Sequence, residues 1–415
     1  MASRIKRCRN AKRRRSSAQI SSAAAEIIGN NHDPVMEILL LLPPKSLIRF
    51  KSVSKTWSSL ISDRTFCILW QQRRQSHDLP KTSGLFFTCK SRTQIKYIPL
   101  KDTDDGGKSR SLARFPNMYH INTTIIHSCN GLLLCCLKKP GYSPRSYQVY
   151  NPTTKQFRSL PWPFSRTSYP ADPLYLAFDP SKSLHYKVVL LQRIPHKYKK
   201  NNYLYQIHIY SSETNAWRPF GGDTIPARSA SSSDLDYGVY SNGSIHWISF
   251  HREQASIYFD VDQERLCPMP SLPILHNFGF VFRHFGVSGG HLHFIQESSC
   301  DTRYSIDISE MESDYSKWSF KYRVDLNMML DFVSQDMIMS HAVTVLGLVD
   351  GEDEDDVYLM LFVGTNMIFS YNLKDNTFKK LHDVAHHPGS SSSELVLYKH
   401  CSLYPFIETL LPLFD

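Results

Sequence analysis

Long apolar runs, paired cysteine motifs and helical periodicity beyond residue 83 are all scarce in this chain of 415 residues. The longest apolar run, 38–44, is far shorter than the roughly 18–20 residues that a membrane-spanning helix needs, and the N-terminus has no apolar signal-peptide core. The nine cysteines include no CxxC pair, a pattern typical of reduced core thiols. We therefore expect a soluble protein without membrane contact, located in the nucleus, the cytoplasm or both.

Acidic residues are absent from positions 1–15, which hold eight of the Lys and Arg residues. Since the net charge of the whole chain is +10, the other residues carry only a small excess of positive charge, and we expect no direct binding of nucleic acid by the folded part. The basic segment resembles a nuclear localisation signal, formed by Lys6, Arg7, Lys12, Arg13, Arg14 and Arg15. A transit peptide and a solvated, disordered basic tail over 1–30 are the alternatives.

Helical signals cluster in residues 33–74. Asp33 is a predicted N-cap followed by Pro34 in the first turn, apolar residues recur at helical spacing up to Leu42, and Pro43-Pro44 ends the helix. Ser54 is a predicted cap for a third helix. A second helix carries Leu47, the third carries Trp57, and a fourth helix or turn carries Trp70.

From Gly84 onward the pattern changes to short runs of alternating apolar residues between turn residues, which predicts an all-β domain. One unit, a strand followed by a polar turn and an aromatic, recurs about every 50 residues, a period typical of kelch-type propeller blades. Its anchors are Tyr97, Tyr150, Tyr210, Phe259, Ile306 and Tyr371. Six anchors favour six blades. A ring is expected because blades packed side by side bury both of their faces. A pair of β sandwiches is the alternative.

Several motifs resemble catalytic or metal-binding sites, but we interpret them as structural. Gly286–Gly290 matches the nucleophile elbow G-x-S-x-G, but a strand pattern follows it where a helix is required, so we predict a hairpin turn. His291 and His293 share a strand face without a third metal ligand. The acidic run 352–356 lacks the spacing of a calcium loop and is interpreted as a solvated loop, with a patch for a basic target as the alternative. We expect no cofactor, no metal and no catalytic residue.

The helical segment then shows a specific resemblance. Residues 33–70 contain E-I-L (37–39), L-P-x-K-S-L (42–47), R-F-K-x-V-S-K-x-W (49–57) and L-I-S-D (60–63). This pattern resembles the F-box of the large plant family in which an F-box-associated, kelch-like domain follows. Later segments are similar to landmarks of that family, in the same order: CNGLLLC, YNPTTKQF, FDP (178–180), the strand 242–247 and the closing segment 404–413. The start at His32-Asp33-Pro34 departs from the usual pair of leucines or Leu-Pro.

The resemblance implies segregated all-α and all-β domains: a small helical F-box unit followed by a large β domain of the kelch-like propeller type. We predict a tail at 1–30, the F-box at 31–72, a linker at 73–83 and the β-propeller at 84–415. The family's F-box binds the Skp-type adaptor of a cullin–RING ubiquitin ligase. By matching positions, the predicted adaptor contacts are Pro34, Ile38, Leu42, Pro43, Leu47, Val53 and Trp57. An internal core role is the alternative for each of these residues.

The same resemblance implies a function without bond chemistry, in which the β domain holds a protein target. Candidate loops for the target are 162–172 and 223–236, because aromatic and Arg anchors are favoured in such interfaces. A substrate receptor of an SCF-type ubiquitin ligase is therefore the first hypothesis. The others are a ligase-independent F-box scaffold or nuclear regulator, and a propeller enzyme or lectin.

Overall fold

The computed structural model describes residues 32–75, 82–89, 92–100, 110–111, 122–138, 145–163, 172–195, 203–227, 235, 237–250, 255–273, 282–298, 304–332, 343–351, 356–364, 367–383 and 401–413. The predicted localisation signal and most of the acidic run lie outside these residues. The chain divides into two compact units, Met1–His77 and Asp78–Asp415. In the described part no helix is both long and apolar enough to cross a bilayer.

The first unit contains four helices. They are α1 (His32–Leu40), α2 (Pro44–Phe50), α3 (Lys55–Ser62) and α4 (Arg64–Gln75). Helix α1 ends two residues before Leu42, because a residue that precedes proline is disfavoured in the helical region. Helix α4 continues three residues into the segment predicted as a linker, since Gln71 is buried and Arg73 pairs with Glu37 of α1 at 2.9 Å.

The second unit is built from strands. In chain order they begin with β1 (Gly84–Cys89), β2 (Arg92–Pro99), β3 (Arg110–Ser111), β4 (Asn122–Cys129), β5 (Leu132–Lys138), β6 (Ser146–Asn151), β7 (Gln156–Ser159) and β8 (Leu174–Ala177). They continue with β9 (Lys187–Pro195), β10 (Tyr203–Ser211), β11 (Ala216–Pro219), β12 (Ile225–Ala227), β13 (Gly238–Ser241), β14 (Ser244–Trp247), β15 (Ile257–Asp260) and β16 (Arg265–Pro268). The last are β17 (Phe282–Ser288), β18 (His291–Ser298), β19 (Ser305–Met311), β20 (Trp318–Asp325), β21 (Val343–Asp350), β22 (Val357–Val363), β23 (Met367–Asn372), β24 (Thr377–Asp383) and β25 (Cys401–Phe406).

These strands form six antiparallel sheets within the described residues. Blade 1 has the order β25-β1-β2-β3, blade 2 is β4–β7, blade 3 is β8–β11 with β12 added beside β10, and blades 4, 5 and 6 are β13–β16, β17–β20 and β21–β24. The first strands of successive blades contact one another around a closed ring, β25-β4-β8-β13-β17-β21 and back to β25. The fold is therefore a six-bladed β-propeller, as predicted, and a pair of sandwiches is excluded.

The repeat found in the sequence corresponds to one position in every blade. All six anchors lie on the third strand of their sheet, from Tyr97 on β2 to Tyr371 on β23. The polar turn after this strand begins with a side-chain acceptor: the Asn151 Oδ1 accepts the amides of Thr153 and Thr154 at 2.9 and 3.3 Å. This local closure explains why Asn or Asp recurs there.

The core lies between neighbouring blades. One cluster joins blades 5 and 6 through residues such as Ile306 and Leu361, another joins blades 3 and 4 through Val189 and Phe259, and a third joins blades 1 and 2 through Phe86. Each sheet is covered by a neighbouring blade on both faces. Residues of β5 that point to either face are therefore apolar, and the strand is a continuous apolar run. Full burial of one such side chain contributes about 1.5–3 kcal/mol.

Candidate partner-binding surface

Side-chain caps define where the helices of the first unit begin. The Ser54 hydroxyl accepts the backbone N–H of Trp57 at 3.1 Å, which confirms Ser54 as the predicted cap of α3. The Asp63 carboxylate accepts the amides of Thr65 and Phe66 at 2.8 and 3.2 Å, a cap of α4 that the sequence analysis missed. Each cap satisfies donors that the first helical turn leaves unpaired.

The four helices enclose a small core. Its fully covered members include Leu39, Leu47, Phe66 and Trp70. The Trp70 indole also donates to the carbonyl of Leu42 at 3.1 Å, so α4 holds the turn between α1 and α2. The Phe50 and Trp57 rings meet edge to face, with centroids 5.4 Å apart.

An apolar strip remains exposed along α1 and the turn that follows. Pro34 and Ile38 are four residues apart on one face of α1, and Leu41 follows directly after the helix ends at Leu40. Ile38 is 51% exposed and Leu41 70% exposed, and Pro34 is exposed as well. In a folded unit, contiguous exposed apolar side chains mark an interaction surface.

The predicted contact residues fall into three classes of exposure. Pro34, Ile38, Pro43 and Val53 are exposed, and Leu42 and Trp57 are half-buried. Leu47 is completely buried. Its burial supports the alternative interpretation, a role in the internal core of the helical unit. As contacts to a partner, the seven residues stay a prediction.

The most exposed apolar side chain of this surface, Leu41, was absent from the predicted set. It stands in a run of four leucines whose pattern does not distinguish inside from outside. Its exposure follows from the end of α1 at Leu40, which the pair Pro43-Pro44 could have indicated.

Comparison with known proteins identifies both units. The family of F-box domains matches residues 31–69, and the family described as F-box associated beta propeller domain matches residues 91–400. The chain belongs to the F-box protein family with an F-box-associated β-propeller.

Relatives of this F-box protein come from Arabidopsis thaliana. One F-box protein is 33% identical over 92% of this chain and 91% of its own length. Another is 30% identical over 58% of this chain and 76% of its own length, and a putative F-box/kelch-repeat protein is 28% identical over 58% of each. Among solved structures, TolB from Acinetobacter baumannii has 11% identity and a TM-score of 0.35, covering 61% of this chain and 53% of its own, which is too weak to indicate a function.

Membership of this family therefore indicates the type of role that the F-box unit has. An F-box domain implies a Skp-type adaptor as partner, and the combination with the propeller supports a substrate-adaptor role for this protein. The helical geometry agrees with a binding role, since its exposed groups include the apolar strip and basic residues such as Lys45, Arg49 and Lys55. Surfaces of this kind recognise a partner by packing and charge.

The nucleophile-elbow motif of this F-box protein is a hairpin turn, as predicted. Gly289 and Gly290 have φ values of 58° and 77° and form the two-residue connection between β17 and β18, where a type I′ turn requires positive φ at both positions. The amide of Gly289 donates to the Asp350 carboxylate at 2.6 Å, and the Ser288 hydroxyl donates to the same oxygen. The Ser288 hydroxyl therefore forms part of the contact between blades 5 and 6.

The titratable side chains in the described ranges are arranged for structure. No group of three or more His, Cys, Asp or Glu side chains there could hold a metal ion. His293 contacts the Glu310 carboxylate at 3.1 Å, and burial lowers the pKa of this histidine. Burial also raises the pKa of the Cys67 thiol to about 11 and that of Cys135 to about 12, so both thiols stay neutral and unreactive.

Proposed function

We propose that this F-box protein is the substrate-recognition subunit of an SCF-type (Skp–cullin–F-box) ubiquitin ligase. The F-box binds the Skp-type adaptor, the propeller binds a protein target, and the assembly promotes ubiquitination of that target. The observation that carries the proposal is the exposed apolar strip of Pro34, Ile38 and Leu41 on the helical unit. We place this activity in the nucleus, the cytoplasm or both.

The mechanism requires no bond to be made or broken by this chain. A target held on the propeller is tethered near the ubiquitin-charged enzyme of the complex, where its effective concentration is on the order of mM for a short flexible tether. Orientation of the target lysine toward the thioester adds to this effect. The chain is accordingly a non-catalytic subunit whose contribution is binding at two separate surfaces.

A double substitution on the apolar strip tests the adaptor contact. In Ile38→Glu with Leu41→Glu, two charges replace exposed apolar side chains, so the fold is retained while a desolvated interface is lost. We expect co-purification of the Skp-type adaptor with the full chain to fall by about tenfold or more, the effect of truncating one or two dominant contacts.

Leu69→Glu is the matched control, because Leu69 is a 38% exposed apolar residue on α4 outside the predicted set. It should retain adaptor binding, and circular dichroism should report the same helix content for all variants. Undiminished adaptor binding by the double variant would overturn the proposed surface.

A ligase-independent F-box scaffold or nuclear regulator is the second candidate. Two sequence features favour it: the acid-free basic segment 1–15 and the unusual start His32-Asp33-Pro34. Failure of the intact chain to bind the adaptor at micromolar concentration, together with nuclear accumulation that depends on residues 1–15, would support this candidate.

A further inference from the structure

The connections between strands fall at the two ends of the propeller. Because strands within a blade alternate in direction, the connections between first and second strands and between third and fourth strands lie at one end of the ring. The fully described ones are residues 130–131, 152–155, 178–186, 212–215, 242–243, 261–264, 289–290, 312–317 and 373–376, and together they contain seven Asp and Glu against four Lys and Arg. At the opposite end, the second strands of the blades end and the third strands begin.

At that opposite end, blades 2 and 3 present an aromatic and basic surface. We call it the blade 2–3 patch and define it by Lys138, Arg145, Tyr147, Trp162, Arg193 and Tyr203. Each of these residues stands at or beside the end of a strand of blade 2 or blade 3. Lys138, Arg145 and Trp162 are exposed, whereas Tyr147 is buried.

Trp162 is the aromatic centre of the blade 2–3 patch. Its ring stacks on Tyr147 at a centroid distance of 5.0 Å and an interplanar angle of 22°, and 39% of the residue stays exposed. The preceding residue is fixed as well, because the Trp217 indole donates to the carbonyl of Pro161. A tryptophan that is held against a neighbouring ring and is partly exposed can accept an apolar group at little conformational cost.

Arg193 lies on the blade 3 side of the patch. Its guanidinium lies 5.9 Å from the centroid of Tyr203 and 5.6 Å from that of Tyr205. Its backbone N–H donates to the Asp172 carboxylate at 3.3 Å, and the Asp172 charge also acts on Tyr147. Asp172 thus lies near both Arg193 of blade 3 and Tyr147 of blade 2.

The charge of the patch is one-sided. Its defining residues include three cations, Lys138, Arg145 and Arg193, and no acid, and the neighbouring Asp172 accepts the backbone N–H of Arg193. Such a surface attracts an acidic partner and repels a basic one.

We propose that the blade 2–3 patch binds an acidic segment of a protein target, with an apolar or aromatic residue of that segment packed on Trp162. This inference rests on the proposed function, since it names the chemistry of the target that the adaptor would present. Tryptophan, tyrosine and arginine are the residues that most often dominate binding energy at protein interfaces, and the charge of the patch selects Asp- and Glu-rich sequences.

The test uses full-length protein and a fluorescein-labelled peptide, Glu-Glu-Phe-Glu-Glu-Leu-Glu-Glu, read by fluorescence anisotropy. We expect saturable binding that weakens as salt is raised, because exposed charges are screened. Lys138→Glu with Arg145→Glu, and separately Trp162→Ala, should each weaken binding by about tenfold or more. The peptide with Gln in place of every Glu should bind weakly.

Lys317→Glu with Lys374→Glu is the matched control, an equal charge change in exposed turns of the opposite end. Absence of saturable binding, or equal weakening in the control, overturns the proposal, and so does tighter binding of a uridine octanucleotide that is lost in the same variants. Because adaptor binding is measured through Ile38 and Leu41, an intact adaptor contact without peptide binding would refute this inference alone.

Discussion

At the scale of single residues, His246 shows how a buried histidine makes stability depend on pH. Its ring packs against Tyr258 and Tyr315, each at a centroid distance of 5.5 Å, and the two tyrosine rings lie 5.0 Å from each other. The His246 Nε2 lies 2.7 Å from the Tyr315 hydroxyl. Burial lowers the pKa of His246 to about 4. The imidazole is therefore neutral and acts as part of the contact between blades 4 and 5.

The lowered pKa fixes the sign of a prediction. Between the ordinary histidine pKa and about 4, the unfolded chain binds a proton that the folded chain does not, so stability falls as pH drops through this window. His246→Gln should remove the one extra proton that the unfolded chain binds in this window. The slope of the unfolding free energy against pH should then fall near pH 5 by about 1.4 kcal/mol per pH unit. Urea unfolding across the window measures the slope, with His185→Gln as the control. An unchanged slope in His246→Gln would contradict this account.

Exposure was the property of single residues that the sequence left undecided. The run of leucines at 39–42 contains buried Leu39 and Leu40, exposed Leu41 and half-buried Leu42. A helical pattern gives the period of the apolar residues, but the residue at which the helix ends decides which leucine faces solvent. Hence Leu41 was absent from the predicted contacts. The buried Leu47 was included because its position matches the family's F-box pattern, and its role as a contact stays a prediction.

At the scale of elements, two hairpin turns of the same type have different surroundings. Gly131 (φ 89°) and Gly290 (φ 77°) both occupy the second position of a turn between the first two strands of a blade. A Cβ at Gly131 would collide with the carbonyl of Ile407 in the C-terminal segment, whereas a Cβ at Gly290 meets nothing within 4 Å. Substitution of Gly290 therefore measures backbone strain alone, whereas substitution of Gly131 measures backbone strain together with the collision with the C-terminal segment.

Alanine at each glycine tests this difference. Gly290→Ala should cost about 1 kcal/mol, the strain of a non-glycine residue at positive φ. Gly131→Ala should cost more, by about 1–3 kcal/mol, since the C-terminal segment must shift. Thermal unfolding of the full chain gives the two values, and proteolysis of Gly131→Ala should release the C-terminus earlier than in Gly290→Ala. Equal destabilisation would show that Ile407 moves away freely.

Most elements were predictable because their signals are local. Pro-Pro, Ser54 and the Asn-Gly turns act through the backbone of their own segment, and the six anchors recur because each blade repeats the same third strand. Two features were missed: β12, which adds a fifth strand to blade 3, and the pairing of β25 with β1. Both depend on contacts between distant or irregular segments, which leave no periodic trace in the sequence.

At the scale of the whole molecule, the C-terminus closes the ring. Strand β25 supplies the innermost strand of blade 1 and pairs with β1 from Gly84↔Phe406 to Cys89↔Cys401. Beyond it, the Asn151 amide donates to the carbonyls of Thr409 and Leu411 at 3.1 and 2.9 Å. Leu410, Leu411 and Leu413 are buried. The last residues therefore bind blade 1 and blade 2 together.

Truncation tests this closure directly. A chain ending at residue 400 lacks β25, so the edge of β1 and the sides of its neighbours are exposed and the closed ring of first strands is broken. We expect its β unit to lose cooperative thermal unfolding and to aggregate, whereas a chain ending at residue 413 should unfold like the full protein. Asn151→Ala is the milder case: four backbone groups lose their partner, which should cost about 2–4 kcal/mol. If the chain ending at 400 unfolded cooperatively near the full-length midpoint, another strand would have to complete blade 1, and the register of β25 against β1 would be refuted.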